Sequence, residues 1–272
     1  MPIKEMPVWK WVLLLLAALF LSLLLYGLSS LVTLIPVAWG RWAGSVLTAG
    51  AMLALYRLFV RWFEGGPAQD LPPDKCLPHT AAGVGMGLGY FVVVVALMMA
   101  FGVYSITGIG HAWADLTDSL FVFLLVGVGE EMVFRGVLFR WIDQRWGFVA
   151  ALAVSALVFG LVHISNDNAT WWSSIAIAIE AGLLLGAAYK WAGTLWLPIG
   201  IHWAWNFSQG NIFGFEVSGN EAGASLLQSQ VSGSEWLTGG AFGAEASVIA
   251  VAVGATVAAW FIRQIVRRNK TA

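Results

Sequence analysis

Four polar groups interrupt the hydrophobic runs of this 272-residue chain, and their types are those of acid–base chemistry. Glu130 and Glu131 follow Gly127-Val128-Gly129, with Arg135 one turn beyond. His163 stands one turn after Phe159, and Asn206 one turn after His202. Residues four apart share a helix face, so Glu131 can pair with Arg135, and His202 can act beside Asn206. Glu130 is turned about 100° from Glu131 and has no basic residue at helical spacing. The expected division is a neutralised Glu131–Arg135 pair, its members closer to each other than either is to His202. That leaves the Glu130 carboxylate for chemistry. Glu180 has no motif near it and is given a structural or cavity-facing role. His79 and His111 sit in loops and receive no role.

A carboxylate and an imidazole can orient and deprotonate a water. A second imidazole and an amide can donate to a developing oxyanion. Glu130, His163, His202 and Asn206 together therefore suit peptide hydrolysis. Rival protease chemistries find no support. The chain has no His-Glu-x-x-His helix motif and no Gly-x-Ser-x-Gly elbow. Glu130 stands where an aspartyl intramembrane protease of the GxGD kind has Asp, and Cys76, the single cysteine, lies in a loop. Glu130, His163 and His202 are also a two-histidine, one-carboxylate set that suits zinc with an open fourth position. No two of them share the spacing of known zinc motifs, so a metal-free glutamate mechanism is expected, with zinc as the alternative.

The elements that must hold these groups are membrane helices. Apolar residues make up 59% of the chain and charged residues 11%, and mean hydropathy is +0.79. A soluble domain has roughly 45–50% and about 25%. Too few charges remain to cover a soluble globule, and a net charge of −1 gives no attraction for nucleic acid. The apolar runs are long and continuous, unlike the short alternating segments of a membrane barrel. The reading is an all-α polytopic membrane protein, a single integral membrane domain over residues 1–272. Eight spans are expected, over residues 9–31, 42–62, 81–104, 118–141, 147–163, 171–190, 194–209 and 245–266. Loops are expected at 64–80, rich in Pro and Gly, and at 210–243, rich in Gly and Ser and without Lys or Arg.

Eight spans with both termini inside put every one of the 14 basic residues on the inner side except Arg41. At about 1.5 Å per residue, Glu130 lies roughly 22 Å from Arg145, and His163 roughly 24 Å from Gly147. His202 and Asn206 lie roughly 12–18 Å from Thr194. These depths let the four groups meet in the inner-to-middle part of the bundle.

Glu130-Glu131-x-x-x-Arg135, Phe159-x-x-x-His163 and His202-x-x-x-Asn206, in this order on successive apolar helices, resemble the CAAX prenyl protease 2 and bacteriocin-processing family of intramembrane proteases. The resemblance covers roughly residues 118–210, the expected catalytic core. It implies an eight-helix membrane fold that cleaves peptide bonds. In it, Glu130 with His163 would activate water, and His202 with Asn206 would bind the oxyanion. Glu131 would support them among the catalytic residues, with Arg135 and Phe159 as structural support. The family is commonly labelled metalloprotease, in which case Glu130, His163 and His202 would hold the metal. Expected partners are the lipid bilayer and a peptide or membrane-protein substrate, such as a prenylated C-terminus or a leader peptide, and no nucleic acid. The expected location is a prokaryotic plasma membrane with both termini cytoplasmic. Two other functions are weighed. One is a catalytically silent scaffold, immunity factor or regulator. The other is a proton-coupled transporter using Glu130, Glu180 and the histidines as a relay.

Overall fold

The computed structural model describes residues 6–110, 113–221 and 223–271. His111 and Lys4 lie outside the described residues. Helices dominate: α1 (Val8–Ser29), α2 (Ala38–Glu64), α3 (Cys76–Ala100), α4 (Trp113–Glu131), α5 (Arg140–Trp146) and α6 (Phe148–Val162) come first. α7 (Trp171–Ile177), α8 (Leu184–Ala192), α9 (Trp196–Phe207), the single-turn α10 (Glu235–Thr238) and α11 (Val248–Thr271) follow. Wide π turns join α4 to α5 (Met132–Phe139) and α7 to α8 (Ala178–Leu183), and another continues α9 (Ser208–Ile212). Such turns recur at functional sites because they re-aim side chains within a continuous helix. Here the first carries Arg135 and the second Glu180.

Among the described residues, five helical stretches are long and apolar enough to cross a membrane: Ala38–Trp62, Pro73–Ala100, Phe148–Ser165, Trp171–Ala192 and Val248–Lys270. The all-α membrane class holds, while the count of eight spans is not reached on length and apolarity. The expected span 118–141 is helical but contains Asp118, Glu130, Glu131, Arg135 and Arg140. The expected span 194–209 is a helix of 12 residues plus its π turn. Two short strands also appear where none was expected. β1 (Tyr104–Ile109) pairs antiparallel with β2 (Leu227–Val231), Tyr104 facing Val231, with an irregularity between Ile106 and Gly108. The third span therefore ends at Ala100 rather than 104, and the 210–243 segment is partly ordered into a strand and a turn of helix.

Contacts sort the bundle into two ends. At one end Arg140 binds Glu64, Lys190 binds Asp143 at 2.6 Å, Arg268 donates to Trp191 O, and Arg145 donates to Met6 O. Asp70 joins them through Tyr56 and Tyr189, and Leu195 N–H donates to its carbonyl. At the other end lie the strands, the 213–247 segment and Arg41, which pairs with Asp118. Gly147, at φ 85°, makes the tight turn that reverses the chain between α5 and α6. α6 thus runs from the basic end to the strand end.

Small residues bring the site-bearing helices together. A Cβ on Gly83 would lie 2.3 Å from Leu197 O, and one on Gly87 2.5 Å from Ile201 O, so α3 touches α9 backbone to backbone. On the other flank a Cβ on Gly160 would lie 2.3 Å from Ser174 O. Close approach through small residues is how helices associate where lipid removes the hydrophobic drive. The consequence is positional: α9 is fixed in depth at the residue before His202.

Candidate active site

Glu131 is the hub. Its side chain and that of Arg135 are wholly buried, and its Oε1 accepts from Arg135 Nη1 at 2.9 Å. The same oxygen lies 2.8 Å from His202 Nδ1. The expected self-contained pair is therefore corrected: His202 is as close to Glu131 as Arg135 is. The physical reason is the packing of α9 on α4 beside Gly127, where a Cβ would stand 3.3 Å from Trp203 N. Arg135 stacks its guanidinium 4.4 Å from the Phe159 ring centre and reaches the carbonyls of Ala181 and Gly182 at 3.4 Å. Phe159 in turn packs edge-on against Phe134 at 4.9 Å and near the rings of His163 and His202. The Phe159 ring thus contacts the cation and both imidazoles.

Both histidines are oriented through Nδ1. A carboxylate can only accept, so His202 donates Nδ1–H to Glu131, and its Nε2 faces Glu130 Oε2 at 3.8 Å. A carbonyl can only accept, so His163 donates Nδ1–H to Phe159 O at 2.6 Å. Each imidazole keeps Nε2 for other partners. This tautomer control by a carboxylate or carbonyl behind the ring is a recurring feature of working histidines. Glu130, expected to lack a basic neighbour at helical spacing, has a neighbour across the helix interface, His202.

Glu130, His163, His202 and Asn206 line one cavity of about 410 Å³. A second, water-sized void of about 10 Å³ lies beside it, lined by His163, His202, Asn206, Phe159, Ser218 and Glu245 among others. The four expected groups are thus brought together. His163 is the first residue after α6 ends, toward the strand end of the bundle. α6 has only 15 residues, and its tip rather than its middle reaches α9. Glu180 lines neither space. It is fully buried and accepts from Tyr90 Oη at 2.8 Å.

Sequence reasoning missed the roof. Glu245, 2% exposed, accepts from Trp205 Nε1, Gln209 Nε2, Ser218 N and Ser218 Oγ at 2.7–3.1 Å. Ser218 lies in the left-handed region at φ 50° and lines both spaces. Asn166 donates to Ser218 O at 2.9 Å and lines the cavity too. A burst of apparently uneven loop residues gave no spacing by which to find them; the available signal was an acidic residue, Glu245, at the mouth of an apolar helix. Farther along the same loop, burial and then the neighbouring Glu221 hold the Glu216 carboxyl above the usual carboxylate range.

Zinc donors are present by type. However, among the described residues no three His, Cys, Asp or Glu side chains lie close enough together to hold a metal ion. The residues as arranged do not fit a zinc centre, and no step below passes through one.

Comparison with known proteins places the site inside a matched stretch. Residues 111–208 match the family described as Type II CAAX prenyl endopeptidase Rce1-like. That stretch holds all three motifs, so the resemblance carried by them is shown there. An uncharacterized protein, YpbD, of Bacillus subtilis (strain 168) is 31% identical over 83 residues, which cover 30% of this chain and 39% of that protein. The chain thus matches well under two thirds of that relative's length. No solved structure matches the chain.

Proposed function

We propose that this integral membrane protein is an intramembrane endopeptidase of the CAAX-protease type. The observation that carries the reading is the convergence of Glu130, His163, His202 and Asn206 on one cavity, with a water-sized void beside it against His163, His202 and Asn206. Glu130 takes a proton from a water that His163 Nε2 holds by its second hydrogen. The hydroxide attacks the peptide carbonyl carbon. The new oxyanion accepts hydrogen bonds from Asn206 Nδ2 and from His202 Nε2, which can donate only in the imidazolium form because Nδ1–H already serves Glu131. Protonated Glu130 then gives its proton to the leaving amine as the carbon–nitrogen bond breaks. Base catalysis of this kind contributes roughly 10²–10⁴-fold, and one oxyanion donor roughly 10²–10³-fold.

Under this reading Glu131, paired with Arg135, sets the His202 tautomer, and residues 118–210 are the catalytic core of one membrane domain. The location proposed is a prokaryotic plasma membrane with both termini cytoplasmic. A transporter relay would string its ionisable groups through the membrane; Glu180 lines neither the cavity nor the void. A silent scaffold would have no use for two histidines each oriented through Nδ1. The test is cleavage of a quenched-fluorescence peptide library by the purified protein, with Glu130→Gln alongside. Loss of cleavage at unchanged melting temperature supports the proposal, and an active Glu130→Gln protein defeats it.

A further inference from the structure

The cavity has a polar lip and an apolar flank, where Leu23 and Val162 are exposed. From Glu130 and His202 its lining continues to Asn166, Ser218, Asn220 and Glu221. Asn220 and Glu221 are exposed, so the cavity meets the surroundings at this lip. In the other direction Phe139, Trp141 and Ile142 fill the bundle, none more than 3% exposed. The lip belongs to the strand end of the bundle, the end to which α6 delivers His163. Arg140, Arg145, Lys190 and Arg268 are anchored by named partners at the opposite end, while Arg41 pairs with Asp118 at the strand end and Arg135 lies within the site. Between residues 210 and 243 there is no Lys or Arg at all. Basic residues flanking membrane helices stay in the cytoplasm.

These two observations are independent, one of shape and one of charge, and we infer that the catalytic cavity opens to the extracytoplasmic side of the membrane. The inference rests on the hydrolytic reading of the same cavity and narrows its substrate. The scissile segment is the extracytoplasmic, membrane-proximal part of a membrane-anchored or exported polypeptide. A cytoplasmic C-terminal tail, prenylated or not, entering along the bundle from its own side would meet the buried Phe139, Trp141 and Ile142 before Glu130. The roof fits this use. Glu245 holds Ser218 over the site, so a peptide entering at the lip passes Asn220 before it meets the water.

The test has two arms. In the first, Cys76→Ser protein carrying Ser234→Cys or Asn220→Cys is treated with a membrane-impermeant maleimide in right-side-out and in inverted vesicles. Labelling of both positions only in right-side-out vesicles is expected; labelling only in inverted vesicles overturns the inference. In the second, unmodified protein in the same two vesicle preparations meets a membrane-impermeant quenched-fluorescence peptide library, with Glu130→Gln as background. Cleavage is expected in right-side-out vesicles and its loss in inverted ones, and the reverse overturns the inference. Absence of cleavage even in detergent counts against the hydrolytic reading instead, and the labelling arm then still decides the orientation.

Discussion

Replacing Arg135 by Met tests how the buried charges are balanced. The substitution keeps length and removes the cation. Glu131, with no exposure, is left with His202 alone on Oε1. Breaking a buried pair from one side costs about 3–5 kcal/mol. The guanidinium also lies 4.4 Å from the Phe159 ring centre, a contact that contributes about 0.5–2 kcal/mol. Together the loss is about 3.5–7 kcal/mol, a large part of a stability of about 5–15 kcal/mol. At about 2–4 °C per kcal/mol for a chain of this size, the melting temperature in detergent should fall on the order of 10–20 °C. Adding Glu131→Gln removes the stranded charge, so the double variant should melt well above Arg135→Met, with a coupling of about 1–3 kcal/mol. Its cleavage should stay lost, because His202 then has no carboxylate to fix its tautomer. The assay is thermal unfolding of the parent, both single variants and the double variant, each beside peptide cleavage. Additive losses, or an Arg135→Met protein that melts with the parent, would refute the reasoning.

Other outcomes follow from the same geometry. Asn206→Ala should lower turnover about 10²–10³-fold with little change in KM, since it removes a donor used only as charge develops; equal loss in KM would contradict this. Glu180→Gln should leave cleavage near the parent's rate, because Glu180 lines neither space; its loss of activity with normal folding would favour a relay. Gly87→Leu should cost about 1–3 kcal/mol by overpacking and should depress cleavage further, as α9 is pushed off its depth at His202; full activity would contradict the account of α3 on α9. Cleavage should persist through a chelator titration, and recovery only on adding zinc back would restore the metal alternative.

What could be read in the sequence was whatever lies on one helix. The one-turn spacings of Glu131 to Arg135, Phe159 to His163 and His202 to Asn206 gave both the motifs and the shared faces. Their meeting followed from cost alone: polar groups in apolar helices must find one another. Contacts between helices were not legible. Nothing in the spacing says that Glu131 serves His202 as well as Arg135, because that depends on the approach of α9 to α4 at Gly127. The π turns were equally silent. Glu245 and Ser218 are 27 residues apart and join only through folding of the loop. The pairing of Tyr104 with Val231 spans a far longer separation, and its short strands left no alternation strong enough to see.

The most direct test of the account is the fate of a peptide bond in the presence of Glu130. Purified parent and Glu130→Gln proteins, matched by melting temperature in detergent, are incubated with the quenched-fluorescence peptide library and the products are read by mass spectrometry. The account predicts new peptide ends from the parent and none above background from Glu130→Gln. Equal cleavage by the two proteins, or none by the folded parent, would contradict it.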